Sequence, residues 1–169
     1  TSDEETAHSI FHNGYWLDKK YWKDVDVRTL FHFRKPKLTK EAQNLLQEIN
    51  STNAVSIHIR RGDYMSGEHY NKFGRFCTEK YYKAAIGKIL REQPDACFFI
   101  FSDDMAWVQK NMEIPNAVFV DCHHGDDSWK DMFLMSCCHH NIIANSTFSF
   151  WAAMLNPHLD KIVTYPQRW

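Results

Sequence analysis

From Thr39 onward the apolar positions switch between two periods. Ala42, Leu45, Leu46 and Ile49 recur at helical spacing behind Thr39, a good N-cap, and predict a helix from there through about Asn50, closed by Ser51-Thr52-Asn53. Val55, Ile57 and Ile59 then alternate with Ala54, Ser56 and His58, which predicts a strand over 54–59. Thr78 opens a second helix through Tyr81, Tyr82, Ala85, Ile89 and Leu90 to about Gln93, where Pro94-Asp95 stops it. Cys97 to Phe101 is an unbroken apolar run, the pattern of a central parallel strand covered on both faces. The alternation continues with a short helix over 105–111, a strand over 118–120 and a helix from 127 or 128 to about 138. A strand over 141–144, a helix over 148–155 ended by Asn156-Pro157, and a strand over 161–165 complete it.

Two stretches lack this regularity. Before Thr39, Asn13-Gly14 reads as a turn, an aromatic mixed-charge segment runs from Tyr15 to Phe33, and Arg34-Lys35-Pro36-Lys37 ends it. Arg61 to about Cys77 reads as a long polar loop, and Asp121 to Asp127 as a shorter one. The strand–helix alternation predicts an open parallel α/β sheet of Rossmann-like type. In such sheets ligands sit beyond the carboxyl ends of the strands. The turns after Ile59, Phe101, Val120 and Ala144 are therefore the places to look for chemistry.

Composition narrows the function classes. With 169 residues, 44% of them hydrophobic and 15% aromatic, the chain builds one domain with a real core. Its 20 Lys+Arg against 21 Asp+Glu leave a net charge of -1, which argues against charge-driven binding of nucleic acid. No apolar run approaches the ~18–20 residues that span a bilayer. The five cysteines are odd in number and two are adjacent, which fits a reducing compartment better than a disulfide framework. Cys122-His123-His124 and Cys137-Cys138-His139-His140 invite a zinc reading, yet their spacing matches no usual ligand pair, and buried small hydrophobes are the preferred reading of the thiols.

The first of the four turns carries the strongest signal. His58-Ile59-Arg60-Arg61-Gly62-Asp63-Tyr64 sets two guanidiniums, an imidazole and a carboxylate at a strand end, with His58 and Arg60 on one face and Gly62 easing the turn. Arginine forks suit phosphate oxygens, but an ion pair with Asp63 or another carboxylate explains the charges equally well. Ser102-Asp103-Asp104 offers hydroxyl and carboxylate groups, with helix capping sufficient for Asp104 and a metal-binding acidic pair the weaker reading. Asn145-Ser146-Thr147-Phe148-Ser149 joins hydroxyls to a helix N-terminus, a place that favours anions and that capping alone also explains. Asp131 on the preceding helix faces either a ligand or solvent, while Met132, Phe133, Leu134 and Met135 read as core.

These residues resemble a known family. The segment from His58 to Tyr64 is similar to the H-x-R-R-G-D-Y motif of the α-1,2-fucosyltransferases, glycosyltransferase family 11. Phe101-Ser102-Asp103-Asp104 with Trp107-Val108, the run from Asp131 through Asn145-Ser146-Thr147-Phe148-Ser149 to Trp151, Asn156-Pro157 with Lys161-Ile162-Val163 and Pro166-x-Arg168-Trp169, and Gly14-Tyr15-Trp16 resemble it in collinear order. The resemblance implies one lobe of a two-lobed GT-B enzyme that uses GDP-fucose, inverts the anomeric centre and needs no metal or other cofactor. It implies that Arg60 contacts the diphosphate and stabilises the departing GDP, that Arg61 supports it or holds the loop through Asp63, and that His58 sits near the nucleotide. It further implies hydrogen bonds from Ser146, Thr147 and Phe148 to the phosphates, and a guanosine side at Ser102, Asp103 and Asp131.

The family's Gly-rich G-G-L-G-N-Q type segment is absent, and the chain lacks an initiator Met. The expectation is a fragment: residues 1–38 as linker and remnant of an N-terminal lobe, residues 39–169 as the donor-binding domain, inactive alone and partnered by the missing lobe and a galactose-containing acceptor. The location implied is cytoplasmic, with peripheral placement at the inner face of a bacterial membrane as a further option. Two other readings stand beside it: a non-catalytic nucleotide or sugar-nucleotide binding module, and a structural α/β domain in which Arg60, Arg61 and Asp63 form an internal ion network.

Overall fold

The computed structural model describes residues 19–21 and 23–168. The Asn13-Gly14 turn, the Gly14-Tyr15-Trp16 match and Trp169 lie outside the described residues. In chain order the regular elements are α1 (Val27–Leu30), α2 (Lys40–Ser51), β1 (Ala54–Ile59), α3 (Gly67–His69), α4 (Glu79–Glu92), β2 (Cys97–Ser102), α5 (Met105–Asn111), β3 (Ala117–Val120), α6 (Trp129–Cys137), β4 (His140–Ile142), α7 (Thr147–Leu155) and β5 (Val163–Thr164). The five strands form one parallel sheet in the order β3-β2-β1-β4-β5. This is the Rossmann-like α/β arrangement that the hydrophobic pattern predicts.

Local chemistry explains where the helices start. Thr39 Oγ1 accepts from Ala42 N, Thr78 Oγ1 from Tyr81 N and Asp104 Oδ1 from Trp107 N, so three helices open on a side-chain cap. On β1, Val55, Ile57 and Ile59 point to one face and pack with α4 (Tyr82, Ala85, Ile86, Ile89), with Phe98 and Ile100 of β2, and with Val108 of α5. Ala54 points to the other face, where Phe99 and Phe101 of β2 meet Ile49 of α2, Leu134 and Met135 of α6, and Ala152 of α7. Each aliphatic or aromatic side chain buried this way contributes roughly 1.5–3 kcal/mol. The apolar run of β2 thus serves both faces at once.

The structure corrects several sequence expectations. β4 pairs over His140–Ile142 rather than 141–144, and β5 over Val163–Thr164 rather than 161–165. The two pair with each other over only Asn141–Ile142 and Val163–Thr164, with β5 at the sheet edge, although Asn141 N donates to Ile162 O and Ile143 N to Thr164 O. The stretch after Arg61 is a chain of short helical turns rather than an irregular loop: Gly62–Met65, then α3, then Tyr70–Gly74. Tyr64 stacks on Phe73 at 5.1 Å, and a Cβ on Gly74 would collide with the Tyr64 carbonyl. Residues before Thr39 also pack: Asp26 caps α1, Phe31 meets Trp151 and Phe33 meets Phe133. Among the described residues no helix is long and apolar enough to cross a membrane.

Candidate functional site

The carboxyl ends of β1, β2 and β3, the chain beyond β4 and the start of α6 enclose a cavity of about 830 Å³. His58, Arg60 and Asp63 line it from the end of β1, and Ser102 and Asp103 from β2. Asp131 lines it from α6, and Ser146, Thr147 and Phe148 from the start of α7. Nine of the ten residues singled out in the sequence therefore meet at one place. Arg61 is the exception, because it turns to the neighbouring smaller cavity with Trp107.

The tandem arginines divide their work. Arg60 Nη1 lies 2.8 Å from Asp103 Oδ2 and Nη2 lies 2.7 Å from Asp63 Oδ1, so two carboxylates fix the guanidinium plane. Its side chain remains 35% exposed and retains N–H groups beyond those two bonds. Arg61 instead places its guanidinium 3.4 Å from the centre of the Trp107 ring and pairs with Asp104 at 3.2 Å. Its backbone N–H donates to Asp103 Oδ1 at 2.7 Å. Asp63 is thus held by Arg60, not by Arg61. Gly62 is needed for a reason other than turn geometry: a Cβ there would lie 2.5 Å from Asp103 Oδ2. The ion pairs differ from the Arg60, Arg61 and Asp63 network considered from the sequence: Arg60 pairs with Asp63 and Asp103 and lines the cavity, while Arg61 pairs with Asp104.

The other residues fall into clear roles. Ser102 Oγ donates to Ile59 O at 2.8 Å and accepts from Asp104 N, which binds the ends of β1 and β2 together. His58 is buried, its ring tilted against Phe148 at 5.4 Å, and its Nδ1 finds no hydrogen-bond partner among the described residues. Burial, reinforced by the charge of Arg60, pulls its pKa down to about 3, so it stands as a neutral imidazole. Ser146 occupies the N-cap position of α7 but makes no side-chain cap bond, unlike the caps of α2, α4 and α5. An uncapped helix start facing a cavity favours an anion.

Of the other lining residues, Tyr64 and Asn145 were quoted within motifs but given no role, and His69 and Phe73 escaped the sequence reading. Tyr64, His69 and Phe73 come from the helical turns after β1, and Asn145 from the chain after β4. Asn145 also anchors those turns, since its Nδ2 donates to Phe73 O, its backbone O accepts from Tyr64 Oη, and Cys77 Sγ donates to its Oδ1. His123 follows β3, and its Nδ1 lies 2.6 Å from Asp131 Oδ1. Burial holds the pKa of Asp131 above the ordinary carboxylate value, and that hydrogen bond offsets only part of the rise.

The cysteine–histidine groups separate. Cys122, His123 and Asp131 have donor atoms within 4.8 Å of one another, as do His139, His158 and Asp160. His124 stays exposed, Cys138 is buried against the Leu134 carbonyl, and His140 Nδ1 accepts from Ile162 N. Burial pushes the Cys122 thiol up to about 11, so it is protonated at neutral pH. All five cysteines are free thiols.

Fold and site together define an α/β domain with a cavity at its strand ends, lined by Arg60, the carboxylates of Asp63, Asp103 and Asp131, and the start of α7. The chain belongs to glycosyl transferase family 11, whose profile matches residues 5–165. It is 43% identical over 120 residues to the O-antigen biosynthesis glycosyltransferase WbnK of Escherichia coli, covering 70% of this chain and 40% of that one. It is 35% identical over 161 residues to an alpha-1,2-colitosyltransferase of Escherichia coli, covering 92% of this chain and 54% of that one. Against galactoside alpha-(1,2)-fucosyltransferase 1 of Lagothrix lagotricha it is 28% identical over 127 residues, 70% of this chain and 35% of the other. The chain thus spans about half the length of these relatives, or less.

Proposed function

We propose that this chain is the donor-binding part of a GDP-fucose-dependent galactoside α-1,2-fucosyltransferase, built on the two-lobed GT-B plan, inverting and metal-independent. One observation supports the reading most: Arg60, fixed by two carboxylates, shares its cavity with the uncapped start of α7. A diphosphate there takes hydrogen bonds from the remaining guanidinium N–H groups and from the helix start, with Ser146 and Thr147 adding hydroxyls. As the sugar–phosphate bond breaks, charge grows on the departing phosphate. A cation already held in place stabilises that charge without reorganising, the task a divalent metal performs elsewhere. Asp63, the more exposed of the two partners of Arg60, is the one that yields to the phosphate. His58 and Phe148, their rings tilted against each other, line the nucleotide's side of the cavity, and Ser102, Asp103 and Asp131 belong to its guanosine side.

A second donor is favoured by the breadth of the colitosyltransferase match, which covers 92% of this chain. The free thiols fit work in the cytoplasm, with peripheral placement at the inner face of a membrane as a further option. The test is transfer to a β-galactoside acceptor, in EDTA, from GDP-fucose and from the corresponding colitose nucleotide, with GDP binding measured on the same sample. The reading expects GDP binding by this chain and fucose transfer once the other lobe is supplied. Transfer of colitose alone changes the donor, activity restored only by manganese overturns metal independence, and no nucleotide binding overturns the whole reading.

A further inference from the structure

The cavity contains one more built pair of polar groups. His123 is almost wholly enclosed, its side chain 2% exposed, while Asp131 keeps 16% of its side-chain surface. The 2.6 Å bond from His123 Nδ1 occupies Asp131 Oδ1. Among the described residues Oδ2 has no hydrogen-bond partner, and Asp131 lines the cavity. The two residues belong to different elements, the chain after β3 and the first turn of α6, so neither backbone alone sets the carboxylate plane. Each carboxylate oxygen carries two lone pairs, so Oδ1, beside its bond from His123, and Oδ2 together accept from two adjacent N–H groups once the plane is fixed. Among the common bases guanine offers that pair, N1–H and the 2-amino group. Adenine presents a ring-nitrogen lone pair in the place of N1–H, and hypoxanthine lacks the 2-amino donor.

We propose that His123 is a positioning residue for base recognition: it holds the Asp131 carboxylate in the orientation that selects guanine, and it does so without touching the nucleotide phosphates. The proposal rests on the nucleotide-binding reading above. An enclosed imidazole holding a cavity-facing carboxylate is a device for direction, since the bond restrains a side chain that would otherwise rotate freely about two torsions. His123→Ala frees that rotation and leaves the carboxylate in place. His123→Asn restores a donor where Nδ1 stands.

The experiment titrates GDP, inosine 5′-diphosphate and pyrophosphate, all in EDTA, into the wild-type chain, Asp131→Asn, His123→Ala, His123→Asn and the Asp131→Asn/His123→Ala double variant. The wild type is expected to prefer GDP over the inosine nucleotide about tenfold or more, the scale of one charged hydrogen bond. His123→Ala narrows that preference to about threefold or less with pyrophosphate affinity unchanged, and His123→Asn recovers most of it. In the Asp131→Asn background the second substitution changes the ratio no further, as a residue acting only through Asp131 requires. A folded His123→Ala chain with the wild-type ratio overturns the proposal. If that variant does not fold, Asp131→Asn decides alone, and a ratio it leaves intact also overturns the proposal. A wild-type chain that binds pyrophosphate without preferring GDP defeats base recognition and spares the phosphate site; one that binds none of the three defeats both.

Discussion

Two polar side chains on β1, Ser56 and His58, stand two residues apart on the same face of the same strand, and the fold treats them in opposite ways. Ser56 Oγ accepts from Asn141 Nδ2 at 2.7 Å; Asn141 also donates to Met135 O and accepts from Asn156 Nδ2, which in turn donates to Cys138 O. Every member of that cluster is buried and has a partner, so it ties β1, β4, α6 and the end of α7 together. One step nearer the cavity, and among the described residues, His58 is buried with an unpartnered Nδ1, Asp131 has an open oxygen and Arg60 has donors to spare. The Ser56 cluster is closed on itself, whereas Arg60 and Asp131 at the cavity are each held by a partner and keep a group open towards it.

Breaking the closed cluster has the largest expected effect. Asn141→Leu strands Ser56, the Met135 carbonyl and Asn156 together, and should cost about 3–5 kcal/mol of stability in denaturant unfolding. GDP affinity of the molecules that stay folded should not change. His58 sharpens the contrast through pH. Its folded-state pKa is near 3 against the ordinary 6.5, so the stability that its neutral form contributes is fully present above pH 6.5. That stability is lost as pH falls from 6.5 towards 3, because the unfolded chain takes up the proton first, at up to about 1.4 kcal/mol per pH unit. His58→Phe should flatten that part of the acid limb in unfolding curves while weakening nucleotide binding. Arg61→Ala has the smallest effect, a loss of about 1 kcal/mol of stability from the missing stack on Trp107, with nucleotide affinity unchanged.

Much of this was legible in the chain. The strand–helix alternation foretold all five strands, with β1 over the expected 54–59, because short-range periodicity records which face each residue buries. The four strand-end turns followed from sheet topology alone. What sequence could not give depends on partners distant along the chain. Arg60 and Arg61 look equivalent until Trp107 and Asp104 claim one of them, more than forty residues later. Gly62 looks like a turn residue until Asp103 arrives above it. His123 looked like one half of a failed zinc motif, since its partner Asp131 sits on another element. The helical turns over 62–74 are held by Asn145 and by aromatic stacking, neither of which leaves a local period.

The central claim is that the cavity holds a nucleoside diphosphate against Arg60, and calorimetric titration of GDP into the wild type and Arg60→Ala tests it most directly. The account predicts binding by the wild type and a loss of about 2–4 kcal/mol in the variant, as for removal of a charged contact in a partly desolvated site. Unfolding curves of the two proteins should differ by less than about 1 kcal/mol, since the pairs lost with Asp63 and Asp103 are part-exposed. Equal GDP affinity in a folded Arg60→Ala chain would contradict it.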